Sequence, residues 1–279
     1  MGRRNNIRRT LIFHDYYTRL KNIALVCFEW ENLPESCNAR FLENTLFQDG
    51  RAIFVDDENM SYLNLRVAPS GSLNVYGEPD KYTAYSTTYS KEYEIGKCVF
   101  IRNNYLAQST SFTLGQIAER MALIQSAIDI NINGQKTPFL LYGDDKVIES
   151  LKNLYNQYDG DKPAIYGSKK LQEYPINVLN THAPFLADKL REEKRALWNE
   201  ALEFLGIDTN PSDKKKERLI VSEVNSNNHQ IEVQADVFLI ARQEACKAIN
   251  NMYGLNVNVK RRINNINDLT EPEGGGDNG

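Results

Sequence analysis

Two strongly helical segments, held apart by a charged stretch that no core can absorb, constrain this chain more than any other feature. The first, residues 187–205, has strong helix formers at nearly every position, with Pro184 near its start and Gly206 just past its end. Leu190, Leu197, Ala201, Phe204 and Leu205 make an apolar stripe with Trp198 as a large anchor, and charges fill the remaining surface. The second helix is expected from about Asp236, a good N-cap residue, to Gly254, a good C′ residue. Between them lie Pro211-Ser-Asp-Lys-Lys-Lys-Glu-Arg218 and Asn225-Ser-Asn-Asn-His229, too polar and turn-rich to pack as core. Such a loop faces water or a ligand.

The rest of the chain reads as alternating blocks. Leu11, Ile12, Tyr16, Leu20, Ile23, Val26, Cys27 and Trp30 recur at helical spacing, which predicts an amphipathic helix over 10–30 ending before Pro34. A shorter helix is expected from Ala39 to Gln48, closed by Gly50. From Arg51 to Arg102 the pattern turns to short strands at 52–55, 62–67, 73–76 and 98–102, separated by Asp-Asp-Glu-Asn, Pro-Ser-Gly and Gly-Glu-Pro-Asp turns. Thr113-Leu-Gly-Gln116 matches a capping box, and Ile117, Met121, Ile124 and Ile128 follow on one helical face, giving a helix from 114 to about 132. This helix and the one at 187–205 bracket a small α/β unit: strands at 138–142, 164–166 and 176–179 around a helix from Val147 to Tyr158. Alone it is too small to be comfortably stable, which points towards oligomerisation. Leu255 to Lys260 alternates as a strand, and from Ile263 the chain decays into an acidic, Gly-rich tail, expected to be disordered.

Charge and chemistry narrow the function. Hydrophobic residues at 41% and charged residues at 25% fit an ordinary folded protein. No apolar run approaches the ~20 residues that cross a bilayer, and no signal-peptide pattern is visible, so synthesis reads as intracellular with no membrane partner. The net charge of −4 hides two poles: Arg3, Arg4, Arg8 and Arg9 at one end, Asp268, Glu271, Glu273 and Asp277 at the other. Cys27, Cys37, Cys98 and Cys246 have no zinc or redox spacing and are expected as free thiols. There is no P-loop, so any ATPase is another chain. His14, His182 and His229 are isolated from one another, and neither H-E-x-x-H nor G-x-S-x-G occurs. Tyr142-Gly-Asp-Asp145 resembles the metal-binding turn of polymerases, in which Asp144 and Asp145 would hold Mg²⁺. Far more often such a string is an ordinary turn, and the chain has no room for the fingers and thumb that a polymerase needs. Lys214, Lys215, Lys216 and Arg218 are the best polyanion contact, sequence-independent and salt-sensitive, against the plainer reading of a solvated loop.

A set of strings keeps one order along the chain: Phe28-Glu-Trp-Glu-Asn-Leu-Pro34, Gln135-Lys-Thr-Pro138, Tyr155-Asn-Gln-Tyr158, Asp188-Lys-Leu190, Trp198-Asn-Glu200, Phe204-Leu-Gly-Ile207, Lys215-Lys-Glu-Arg218 and Tyr253-Gly-Leu-Asn-Val257. Together they resemble the upper collar, or portal (head-tail connector), protein of small short-tailed phages of Gram-positive bacteria, the phi-twenty-nine type. Residues 51–110 match poorly. The resemblance implies an α+β portal fold with long stem helices, a small α/β clip and a mixed α/β wing, assembled as a dodecameric ring. Mapped on, 1–9 is a basic arm, 10–113 and 231–262 the wing, 114–136 and 185–207 the stem helices, 137–184 the clip, 208–230 the channel loop and 263–279 the tail.

The implied protein is not an enzyme, needs no cofactor or metal, and sits at the capsid vertex of the virion. Its implied partners are double-stranded DNA, capsid protein, a lower collar or tail protein, the packaging ATPase and, where one is used, a packaging RNA. The resemblance puts channel lysines at Lys189, Lys215 and Lys216, with Lys214 and Arg218 beside them. A further family lysine position is Asn180 here. Arg3, Arg4, Arg8 and Arg9 share the charge, though not the spacing, of the family's RNA- and motor-contacting terminus. The competing expectations are a monomeric or dimeric sequence-independent nucleic-acid-binding module and, further off, a metal-dependent nucleotidyl transferase on Asp144 and Asp145.

Overall fold

A computed structural model describes residues 2–135, 139–143, 164–168, 184–209 and 221–263. In chain order the elements are α1 (Gly2–Leu25), β1 (Phe28–Glu31), α2 (Ala39–Asp49), β2 (Arg51–Asp57), β3 (Ser61–Leu73), β4 (Pro79–Tyr85), β5 (Ser90–Glu94) and β6 (Cys98–Arg102). There follow α3 (Ser111–Gly134), β7 (Phe139–Gly143), β8 (Ala164–Ser168), α4 (Ala187–Phe204), α5 (Val221–Tyr253) and β9 (Asn258–Arg261). They form two compact units, one of Met1–Ile12 with Arg120–Ala196, the other of Phe13–Glu119 with Leu197–Gly279. The class is α+β.

The second unit is built on a five-stranded antiparallel sheet in the order β5-β4-β3-β2-β6. Strand β2, paired with β3 on one side and β6 on the other, is buried on both faces, because alternate side chains serve different cores. Ala52 and Phe54 join Val99 and Ile101 against Leu42 and Leu46 of α2 and Ala245 and Ile249 of α5. Ile53 and Val55 turn the other way, towards Leu65, Val67, Ala84 and Tyr93. Each such side chain, fully buried, stabilises the unit by ~1.5–3 kcal/mol. A second antiparallel pair, β1 with β9, joins the start of the unit to its end, Phe28 opposite Arg261 and Glu31 opposite Asn258. In the first unit, β7 and β8 form a parallel pair. Parallel neighbours need a crossover connection; the helix expected over 147–158 and the strand over 176–179 lie outside the described residues.

Helix ends explain several boundaries. Asn38 accepts the Phe41 N–H at 2.9 Å and starts α2, and Gly50, at φ 75°, closes it by donating to the Leu46 carbonyl. The Gly50 backbone also lies against that of Ala107, Gln108 and Ser109, where a Cβ would come within 2.4 Å. At the end of α4, Gly206 N–H donates to Glu203 and Ile207 N–H to Leu202, both at 2.9 Å, the paired bonds of a Schellman cap. At the far end of β2, Asp57 gathers the Tyr89 hydroxyl (2.7 Å), Lys91 Nζ (3.1 Å), the Tyr93 hydroxyl (3.2 Å) and the Asn59 N–H (3.0 Å). The Tyr89 hydrogen bond, then those from Asn59 and Lys91, hold the Asp57 carboxyl far below the usual aspartate range.

The structure corrects several expectations. The helix expected over 10–30 begins at Gly2, so the 1–9 arm is its first turns, and it stops at Leu25. Trp30 belongs to β1, because pairing with β9 competes successfully with the helical pattern. Residues 74–76 are not a strand: β3 continues through the expected Pro-Ser-Gly turn to Leu73, with a shift of register between Ser70 and Leu73, and Asn74 Oδ1 takes the N–H groups of Tyr76 and Glu78 to make a turn there. β4 and β5 were not expected. The capping box at Thr113 falls inside α3, whose start is instead held by Ser109 Oγ accepting the Ser111 N–H. The last strand starts at Asn258, since Asn250 clamps Val257 through both its N–H and carbonyl. The largest difference is α5, which begins at Val221, so that residues 221–230 of the expected channel loop are helical. The acidic tail from 264 lies outside the described residues.

Candidate nucleic-acid interface

The first unit displays charge along the start of α4. Asn131 of α3 positions this helix: its carboxamide accepts the Leu186 N–H at 2.9 Å and donates to the Pro184 carbonyl at 2.8 Å. Ala187 is buried, and Asp188 in the first turn suits the positive end of the helix dipole. Lys189 is exposed, as are Asp188, Arg191, Glu192, Glu193 and Arg195, an alternation of both signs with no continuous basic face. Arg191 and Asp188 approach to 3.8 Å, whereas Lys194 is half-buried and donates to Gln125 Oε1 of α3 at 2.6 Å.

The basic N-terminus is now part of a helix. Arg3 and Arg4 lie in its opening turns. Arg8 is committed to Asp129 of α3 at 3.0 Å, and Asp129 also accepts from Gln125. Arg9 is half-buried and also engaged in an interaction. Lys214, Lys215, Lys216, Arg218 and Asn180 lie outside the described residues, so only Lys189 among the expected channel cations has a defined surroundings. Asp144 and Asp145 also lie outside them. Among the described residues no group of three or more His, Cys, Asp or Glu side chains could hold a metal, and no described helix is long and apolar enough to cross a membrane.

Sequence reading missed the most organised polar cluster, which lies in the second unit. Arg242 of α5 donates from Nε and Nη2 to the two Glu43 carboxylate oxygens at 2.9 and 2.7 Å. Its other donors go to the Asn103 carbonyl and Oδ1, both at 3.1 Å, and to the Phe238 carbonyl at 3.0 Å. All five guanidinium hydrogens are thereby used. Phe28 stacks on the guanidinium at 4.1 Å, and Trp30 Nε1 donates to Glu43 at 2.8 Å. Beside them, burial, followed by the Glu43 charge, pushes the Cys27 thiol up to about 12, which makes it unreactive. One signal was available: Arg242 sits on the buried stripe of α5 with Phe238, Ala245 and Ile249, where a lone arginine demands a buried partner.

The Arg242 network has every donor engaged inside the core, and the fold that it holds has a known counterpart. The chain is similar to a chain in the solved structure of the portal and tail of native bacteriophage P68, with a TM-score of 0.51 at 16% identity, over 93% of this chain and 89% of that one. The fold is therefore that of a phage portal. The model of the family described as Phage Connector (GP10) matches residues 1–266, and the chain belongs to that family. It is a head-tail connector, a virion component at the junction of head and tail. The family is structural in character, with ring assembly and association with capsid and tail.

Proposed function

We propose that this connector forms a dodecameric ring whose channel passes double-stranded DNA into the capsid during packaging, retains it, and releases it through the tail. In this reading 10–113 and 231–262 form the wing, 114–136 and 185–207 the stem, 137–184 the clip, and the segment around 208–230 the channel contact. The observation that carries the reading is the family match across residues 1–266, with a portal fold over 93% of the chain. A channel that held duplex tightly would stall it, so balanced charge with a few cations suits translocation better than a basic lining. The exposed start of α4, with acids and bases interleaved, fits that requirement. Exposed apolar side chains at Ile7, Leu11, Leu123 and Ile130, between 53% and 68% accessible, give the first unit surface to cover with neighbouring copies.

Lys189, Lys214, Lys215, Lys216 and Arg218 are assigned to transient DNA contact, and Arg3, Arg4, Arg8 and Arg9 to the packaging motor or its RNA. Capsid protein, the lower collar or tail protein and the packaging ATPase are the other partners. Electron microscopy of the purified chain should show closed twelve-fold rings; a stable monomer at micromolar concentration would falsify the reading. Replacing Lys214, Lys215 and Lys216 by alanine should leave the rings intact and impair DNA retention or late packaging. Unchanged packaged length would remove their role.

A further inference from the structure

The second unit contains a groove of about 670 Å³ between α1 and the start of α2. Its α1 wall runs from His14 through Lys21 to Leu25, and Arg40 stands on the α2 side. No aspartate or glutamate is among the described residues that line it. Asp15, the nearest acid in sequence on α1, is already paired with Arg19 at 2.8 Å. Lys21 Nζ rests over the Phe47 ring at 5.6 Å, and among the described residues neither Lys21 nor Arg40 forms an ion pair. The groove is thus cationic and without its own counter-charge.

The chain leaves the described structure beside this groove. Arg262 N–H donates to the Cys27 carbonyl at 2.9 Å, two residues beyond Leu25, and Ile263 is buried. Residues 264–279 carry Asp268, Glu271, Glu273 and Asp277 and no lysine or arginine. Nearly all of that segment lies beyond the family match, which ends at residue 266. The α1 wall from His14 to Leu25 is ~16 Å long at ~1.5 Å per residue, and an extended chain gains up to ~3.3 Å per residue. The stretch from Ile263 to Glu273 therefore has ample length to cross the groove.

We propose that the acidic segment 264–279 docks in the α1–α2 groove of its own chain, setting its carboxylates against Lys21 and Arg40. Separate surface pairs are weak, but a short tether raises the local concentration to the order of millimolar, so weak pairs suffice. The docked segment masks both cations from other polyanions.

Two measurements on the full-length, assembled chain test this. A glutamate-specific protease should cut after Glu273 ~10-fold more slowly than in a synthetic peptide of residues 264–279 at about 50 mM salt, the two rates converging at about 500 mM. Lys21→Glu with Arg40→Glu should bring the chain to the peptide rate. Cysteines placed by Asn22→Cys and Leu269→Cys should form a disulfide within one chain. The yield should fall with the two groove substitutions and return when Asp268, Glu271 and Glu273 are also changed to lysine. A disulfide between chains would overturn the same-chain occupant. Absence of any disulfide, with cleavage at the peptide rate, would overturn docking altogether. Ring formation, read in parallel, separates either failure from a failure of assembly.

Discussion

Two arginine–carboxylate pairs, one in each unit, have similar lengths and opposite surroundings. Arg242–Glu43 in the second unit measures 2.7 Å with side chains 3% and 5% exposed, while Arg8–Asp129 in the first measures 3.0 Å with 65% and 23%. Distance does not distinguish them; solvent does. Around Arg242 every donor has a fixed acceptor, so removing either partner strands a charge inside the core. Around Arg8 water replaces whatever is removed. Neither pair stands for its whole unit: the second has a two-sided sheet core, and the first also buries Met121, Ala122, Ile128 and Ala187 beside the partly or fully exposed polar contacts of α3.

The comparison can be broken most directly at Arg242. Arg242→Ala should cost ~3–5 kcal/mol in urea unfolding, while Arg242→Met combined with Glu43→Leu should cost less than the single change. A double variant worse than Arg242→Ala would show that the network stabilises the core beyond its own desolvation. Gly50→Ala comes next. Its left-handed backbone alone costs ~1–2 kcal/mol with a Cβ, and the added carbon also meets the Ala107–Ser109 backbone, displacing the loop that carries Asn103 to Arg242.

The Asp57 cluster gives an intermediate, pH-dependent test. Because its folded carboxyl titrates far below the unfolded one, its contribution is complete above the ordinary aspartate range near ~3.9 and shrinks as pH falls through and below it. Asp57→Asn should lower the melting temperature at neutral pH, and the gap to the parent chain should narrow on acidification below pH ~4. A gap independent of pH would assign the loss to packing. Arg8→Ala should be the smallest, below ~1 kcal/mol and fading as salt rises. A loss as large as that at Arg242 would abolish the distinction between the units.

Much of this architecture was legible where local chemistry decides. Asn38 and Gly50 bound α2, and Gly206 and Gly254 end α4 and α5, because left-handed caps favour glycine and N-caps favour short polar side chains. What escaped depends on distant partners. Phe28–Glu31 continues a helical pattern and becomes a strand only because Asn258–Arg261 arrives beside it. β5, Ser-Lys-Glu-Tyr-Glu, buries Tyr93 alone, too faint an alternation to read as a strand. Residues 221–230 are rich in Ser and Asn, yet extending an existing helix needs no new nucleus, so modest propensity suffices. The portal class was visible through ordered strings such as Phe28-Glu-Trp-Glu, whose Phe28 and Trp30 prove to pack on Arg242 and Glu43. The DNA-contact assignments have no such packing behind them: Lys189, Lys215 and Lys216 rest on the resemblance, and Lys214 and Arg218 on charge.

The pairing of β1 with β9 also sets a clock on synthesis. Glu31 and its partner Asn258 are separated by 227 residues, so at ~5–20 residues per second the first strand waits roughly 10–45 s for its neighbour to leave the ribosome. For most of that wait Trp30 and Glu43 are made but Arg242 is not. The second unit therefore cannot close until Asn258 has been made. Any ring contact that needs that unit complete waits for the same strand.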